Sequence, residues 1–365
     1  MIERSRSHCS IGASIKSVSP TNQLRRTTIL KSPYSVFSQL WGSIWGSKKK
    51  LESRSRSPNA VASELHLTAG QILAALRKSE SGRDDWRVRH HAEDTLLPHE
   101  MASLVNVSPA LPSHVQSWLT KMEALGRFSE GEPQRYSVEA VAPDVDFYRD
   151  ATIGPERKCL IVCFCGASNR LMMPISCLLQ YLPSDFCDVI VLRDKTRQHY
   201  FKGITGYAES LPALVRRIAD DLGADAYLRR YCFGVSMGAF PALRAGVLME
   251  ADRAVSVGGG FALHPRRLLE EPDIAPPAFD PICGCVGNAD TELVCAYAAG
   301  DKTDRQSATH LSHIRAVTLI SVPDLTEHNI IKKLAKKGLL RDFFNGMFAL
   351  SDALESAGAM RSFRR

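Results

Sequence analysis

Across residues 136–350 the chain alternates short apolar runs with amphipathic stretches. The apolar runs are CLIVCFC (159–165), DVIVLR (188–193), RRYCFG (229–234), RAVSVGG (253–259), LVCAYAA (293–299) and AVTLISV (316–322). A strand with one wet face alternates apolar and polar residues, whereas a near-continuous run belongs to a strand covered on both faces. Between the runs, AESLPALVRRIADDLG sets Leu211, Leu214, Val215, Ile218 and Leu222 on one stripe and ends at Gly223. That is the pattern of an amphipathic helix with a glycine stop. The alternation predicts an α/β domain: a mostly parallel sheet with helices on both faces, binding ligands beyond the carboxyl ends of its strands.

The preceding stretch, 61–135, has a helical period instead. TAGQILAALRKSE places Ile72, Leu73 and Leu76 on one face with Thr68 as a cap, and PSHVQSWLTKMEALGRF spaces Val115, Trp118, Leu119, Met122 and Leu125 helically before Gly126. Between them RHHAEDTLLPHE carries His90, His91 and His99, read as a solvated charged loop rather than a metal site. Residues 1–60 have neither period and hold most of the basic excess (RSRS, LRR, SKKK, SRSRS), so a disordered leader is expected there. Within it, 34–50 repeats Val36/Phe37, Leu40/Trp41 and Ile44/Trp45 before a run of lysines. That face suits peripheral membrane contact, a helix docked on the main domain, or a segment without fixed structure. The expected organisation is a leader at 1–60, a helical region at 61–135, an α/β domain at 136–350 and a tail at 351–365.

Composition adds bounds rather than detail. The 365 residues are 44% hydrophobic and 23% charged, with a formal net charge of +7, as in an ordinary globular protein. No apolar run approaches the roughly 20 residues that span a bilayer. The N-terminus lacks a compact apolar block with a small-residue cleavage site. Many of the 10 cysteines fall in apolar runs, where thiols act as small hydrophobes, so a reducing compartment, the cytoplasm, is expected. The Ser/Arg-rich leader is also what a mitochondrial transit peptide looks like, which leaves an organellar address open. Cys283 and Cys285 have no second ligand pair at zinc spacing, so no metal and no cofactor is expected. Nor does any nucleic-acid reading motif follow the basic residues. The expected partner is a small-molecule or acylated substrate.

One stretch carries chemistry. CFGVSMGAF contains Gly234-Val235-Ser236-Met237-Gly238, a G-x-S-x-G pattern. With Gly and Ser at roughly 7% usage each, chance supplies it in about one chain in ten of this length, so context must decide. Here RRYCFG enters as a strand and MGAFPALRAGVLME leaves as a helix, with Pro241 early enough that its missing N–H does little harm. In such an elbow the serine hydroxyl projects at the carboxyl edge of the sheet, and the N–H of the next residue, Met237, points at the space before it. The competing reading is a Gly-rich helix start packed closely on the sheet.

A serine needs a base, and the base needs an acid to orient it. Of 11 histidines, His328 lies after the last strand and before an apolar-striped helix containing Ile330, Ile331 and Leu334. His310 and His313 fall in the helix before it, at the wrong end of the sheet. The strand before supplies Asp301 and Asp304 in AYAAGDKTDRQSATHL. Asp304 is preferred, starting a helix near Arg305, and Asp301 is the alternative.

Residues 136–350 thereby resemble the α/β-hydrolase superfamily, whose chain order of nucleophile, acid and base is that of Ser236, Asp304 and His328. The resemblance implies ester or thioester hydrolysis through an acyl-enzyme, with Ser236 as nucleophile, His328 as base then acid, and Asp304 holding the imidazole. It also implies an oxyanion hole from the N–H of Met237 and one from GASNRLMMP, with Ala167 as candidate and Ser168 or Asn169 as assistants. Cys165-Gly166 stands where many esterases have His-Gly. A proline-rich stretch at 261–291, holding His264, Arg266 and Arg267, corresponds to a lid-like insertion that shapes specificity. An acyltransferase on the same residues and a non-catalytic binding or assembly module remain alternatives.

Overall fold

The computed structural model of the chain describes residues 67–83, 85–259, 290–312 and 317–350. The leader with its 34–50 face, His264, Arg266, Arg267, Cys283 and Cys285 of the insertion, His313, and the tail at 351–365 lie outside the described residues.

Eight strands form one sheet in the order β1-β2-β4-β3-β5-β6-β7-β8. They are β1 (Ser137–Ala142), β2 (Val145–Arg149), β3 (Cys159–Phe164), β4 (Cys187–Leu192), β5 (Arg229–Val235), β6 (Arg253–Val257), β7 (Glu292–Ala298) and β8 (Thr318–Val322). From β4 to β8 every pairing is parallel, while β1 and β2 add an antiparallel edge. The apolar runs read from the sequence are thus the parallel strands. The β1–β2 hairpin has no counterpart among the apolar runs: β1 is an exposed edge strand, and β2 buries Val145, Phe147 and Tyr148 between polar residues.

The helices are α1 (Ala69–Arg77), α2 (Trp86–Thr95), α3 (Pro98–Asn106), α4 (Ser113–Gly126), α5 (Ile175–Leu179), α6 (Leu211–Leu222), α7 (Ala239–Leu248), α8 (Lys302–Ser312), α9 (Ile330–Lys337) and α10 (Leu340–Phe348). Period-2 alternation in β3 sends Cys159, Ile161 and Cys163 to one core and Leu160, Val162 and Phe164 to the other. The first core includes side chains of α1 to α5, α9 and α10; the second includes those of α6, α7 and α8. The N-terminal helices and one face of the sheet therefore share a single hydrophobic cluster.

Local expectations hold at several ends. Thr68 caps α1 in a reciprocal box with Gln71. Gly223 ends α6 in the left-handed conformation at φ 57°. At the end of α4 the left-handed residue is Arg127 (φ 52°), not Gly126. Gly126 is small because the Phe128 ring would lie 2.3 Å from any Cβ there. The charged loop expected around His90, His91 and His99 is instead helix, α2 followed by α3. The acids that made it look solvated are engaged: Glu93 accepts from Trp118 Nε1 at 2.8 Å and pairs with Arg170. Among the described residues, no group of His, Cys, Asp and Glu is arranged to hold a metal ion. None of their helices is long and apolar enough to cross a membrane.

Candidate active site

β5 ends at Val235, and the chain turns through a one-turn 3-10 helix, Ser236–Gly238, into α7. Ser236 has φ 52°, a left-handed conformation that L residues adopt only when their surroundings enforce it. The two elbow glycines are explained by what a side chain would meet. A Cβ at Gly234 would sit 2.1 Å from the Gly238 carbonyl oxygen, and one at Gly238 would sit 2.3 Å from that of Phe164. Neither contact is tolerable, so the strand and helix approach this closely only because both residues lack side chains.

Ser236 is partly exposed at the carboxyl edge, where three other loops meet it. Gly166 follows β3, and a Cβ there would come 3.3 Å from Ser236 Cβ. Gly259 follows β6 and lies against the Ser236 backbone, so closely that a Cβ would be 2.6 Å from its carbonyl oxygen. The third loop follows β8 and brings His328. Its Nε2 is 2.8 Å from Ser236 Oγ, and its Nδ1 is 2.8 Å from Asp304 Oδ1. A carboxylate only accepts, so Nδ1 carries the proton and the Nε2 lone pair faces the serine hydroxyl. The loops after β7 and β8 are tied to each other, Gly300 N–H donating to Leu325 C=O at 2.8 Å.

Electrostatics follow from this arrangement. Asp304 is buried, while the His328 imidazole is about half exposed. The hydrogen bond to Asp304, aided by the charges of Asp304 and Asp301, raises the His328 pKa above 6.5, against burial that lowers it. Asp301 has a different task. Its Oδ1 accepts from Thr303 N–H and Asp304 N–H, each at 2.9 Å, capping α8. The helix thus begins at Lys302 rather than near Arg305, and Asp304 sits in its first turn. Of the two candidate acids, Asp304 is the one hydrogen-bonded to His328.

Met237 is buried at the start of the 3-10 turn, where first-turn N–H groups have no intrahelical acceptor. Ala167 lies in a tight turn in which Asn169 N–H donates to Gly166 C=O at 2.9 Å and Gly166 N–H donates to Arg170 C=O at 3.0 Å. In a trans peptide the Ala167 N–H points opposite to the Gly166 carbonyl, so it faces out of the turn. Ala167 and Ser168 are exposed there, and Asn169 is left-handed at φ 58°. Cys165, in the place of the histidine of many esterases, is buried, and burial pushes its thiol up to about 12. It packs as a small hydrophobe, and its carbonyl accepts from Tyr200 Oη at 3.1 Å. Of the other histidines, His199 is in the loop after β4 with φ 55°, and His310 is within α8.

Several neighbours of the site were not anticipated. Gly258, at φ 61°, is set so that a Cβ would be 3.3 Å from His328 Cε1 and 3.0 Å from Met172 Cε. Arg170 pairs with Glu93 and Asp94, each at 2.6 Å. No short-range pattern marks these contacts, because they join residues far apart in sequence.

No family model matches the chain, and no curated protein sequence matches it. Solved structures do. The dienelactone hydrolase of Anabaena variabilis matches at 12% identity over 60% of this chain and 99% of that one, with a TM-score of 0.40. Brefeldin A esterase, a bacterial homologue of human hormone sensitive lipase, matches at 14% identity over 90% of this chain and 94% of that one, with a TM-score of 0.40. A lidless α/β serine hydrolase of Xanthomonas campestris matches at 13% identity over 62% and 95%, with a TM-score of 0.35. The sheet order, the elbow after β5 and the loops after β7 and β8 are together those of an α/β-hydrolase fold.

Proposed function

We propose that this α/β-hydrolase fold houses a serine hydrolase that cleaves a carboxylic ester or thioester through an acyl-enzyme. The observation carrying this reading is the unbroken chain of 2.8 Å contacts from Ser236 through His328 to the buried Asp304. Neutral His328 takes the Ser236 proton at Nε2 as Oγ attacks the substrate carbonyl carbon. Asp304 holds the ring with Nδ1 protonated and stabilises the imidazolium that forms. Met237 N–H and Ala167 N–H are the proposed donors to the tetrahedral oxyanion. His328 then returns the proton to the departing alcohol or thiol, leaving acyl-Ser236. Water attacks that acyl group while giving a proton to His328, and collapse frees the acid and restores Ser236.

A scaffold with only a binding role gains nothing from holding a serine in a left-handed turn beside a carboxylate-oriented histidine. The direct test is labelling with a fluorophosphonate probe, which phosphonylates an activated serine. Wild type should label and hydrolyse p-nitrophenyl esters, and Ser236→Ala should do neither. Wild type that is inert to both would overturn the reading.

A further inference from the structure

We infer that Arg170 is a positioning residue for the oxyanion turn, and that through it the N-terminal helices are part of the catalytic unit. This rests on the hydrolase reading above, and it adds a residue which the triad does not require.

Arg170 acts on the turn twice. Its backbone carbonyl accepts the Gly166 N–H at 3.0 Å, which sets the orientation of the residue just before Ala167. Its side chain then reaches away from the sheet to α2. Nη1 donates to Glu93 Oε2 at 2.6 Å, Nε pairs with Asp94 Oδ1 at 2.6 Å, and Nη2 donates to His90 Nδ1 at 2.8 Å. Glu93 is itself held by Trp118 Nε1 of α4 at 2.8 Å. A guanidinium shared by two carboxylates and an imidazole has its direction fixed, as a single surface pair would not.

Packing alone does not fix the turn. A small cavity borders it, lined by Asp94, Asn169, Arg170, Leu171, Met173 and Arg193. Ala167 and Ser168 are exposed, and the turn closes through two backbone hydrogen bonds, both on Gly166. On the sheet side Tyr200 Oη braces the Cys165 carbonyl at 3.1 Å. The Arg170 tether supplies the brace on the other side. Catalytic donors must hold position to a fraction of an ångström, and a shift of about 1 Å costs roughly 10²-fold in rate. Loss of the tether should therefore lower kcat and leave substrate affinity nearly intact.

The experiment compares full-length wild type with Arg170→Gln, Arg170→Lys and the double variant Glu93→Gln/Asp94→Asn. Four readings are taken: ester kcat and KM, the Ki of a trifluoromethyl ketone, exchange of the Gly166 and Asn169 amides, and the thermal melt. In Arg170→Gln, kcat should fall about 10- to 100-fold, with KM changed by less than about threefold. The Ki should rise in proportion, because the ketone adduct uses the same hole. Both amides should exchange faster, the double variant should match, and Arg170→Lys should recover part of the loss. Unchanged kcat or unchanged amide exchange in a folded Arg170→Gln overturns the positioning role while wild-type turnover keeps the hydrolase reading intact. A loss of kcat that follows the melt, with Lys no better than Gln, makes Arg170 structural and overturns it too. Inert wild-type protein sinks the hydrolase reading, and the positioning role falls with it.

Discussion

The two sides of Ser236 are built differently. On one side His328, on the loop after β8, and Asp304, in the first turn of α8, are side chains linked in a chain to the serine by two hydrogen bonds of 2.8 Å. On the other, the proposed oxyanion turn offers backbone N–H groups, and its proposed brace is Arg170, which bonds to Glu93 of α2, 77 residues away in sequence. The proposed acid–base side is specified by residue type, so single substitutions should remove it outright. The oxyanion side is specified by position, so substitutions loosen it by degrees.

The sharpest way to break the first side is Ser236→Ala or His328→Ala. Each should lower ester kcat by roughly 10³- to 10⁶-fold, with the double variant scarcely worse than either single one, because the residues act as a unit. The melt should hardly move. Independent, multiplying losses would mean that the 2.8 Å contact between them is not used in turnover.

Asp304→Asn comes next, with a loss of roughly 10³- to 10⁴-fold, since the amide favours the wrong imidazole tautomer. It also carries a pH signature. Only neutral His328 accepts the serine proton, so kcat/KM should fall as pH drops through the His328 pKa, which lies above 6.5. The Asp304 hydrogen bond and charge raise that pKa while burial lowers it. With Asp304 replaced, burial acts almost unopposed, and the acid limb of residual activity should move to lower pH. A limb that stays in place would show that another group governs it.

The same contrast explains how much was legible in the sequence. The parallel strands β3 to β7 announced themselves because their residues are largely buried on both faces, and the elbow because Gly234 and Gly238 occupy sites where no Cβ fits. Ser236, Asp304 and His328 stand out as candidates in the sequence because each follows a readable strand. What escaped has a common cause. β1 lies at an exposed edge, where burial imposes little pattern. α2 reads as a solvated loop in sequence because Glu93 and Asp94 look like surface acids, whereas both pair with Arg170 from a distant turn. Similarly Tyr200, Gly258 and Gly259 matter through backbone approaches that no local spacing encodes.

Gly234→Ala separates architecture from chemistry. The added Cβ must displace the Gly238 carbonyl from 2.1 Å, so elbow and helix start shift together. A destabilisation of about 1–3 kcal/mol or more is expected, read as a lower midpoint in urea, with activity lost in proportion to folded protein and elbow distortion. A variant as stable as wild type would mean that the strand–helix approach is looser than these contacts indicate.

The smallest effect is expected at Asp301, and it matters because this residue was the rival for the triad acid. Its Oδ1 accepts two N–H groups at the start of α8, including that of Asp304 itself. Removing the cap by Asp301→Ala should cost about 1 kcal/mol of stability. In a domain of this size that lowers the melt by roughly 2–4 °C. Turnover should stay within a few-fold of wild type, because Asp304 remains anchored in the first turn of a helix packed on β7. Asp301 also adds the smallest of the contributions that raise the His328 pKa, so the acid limb should shift slightly to lower pH, in the same direction as Asp304→Asn but far less. A loss of kcat at Asp301→Ala larger than at Asp304→Asn would reverse the assignment. His328 would then have to turn from the carboxylate it now faces at 2.8 Å to reach the cap residue during turnover.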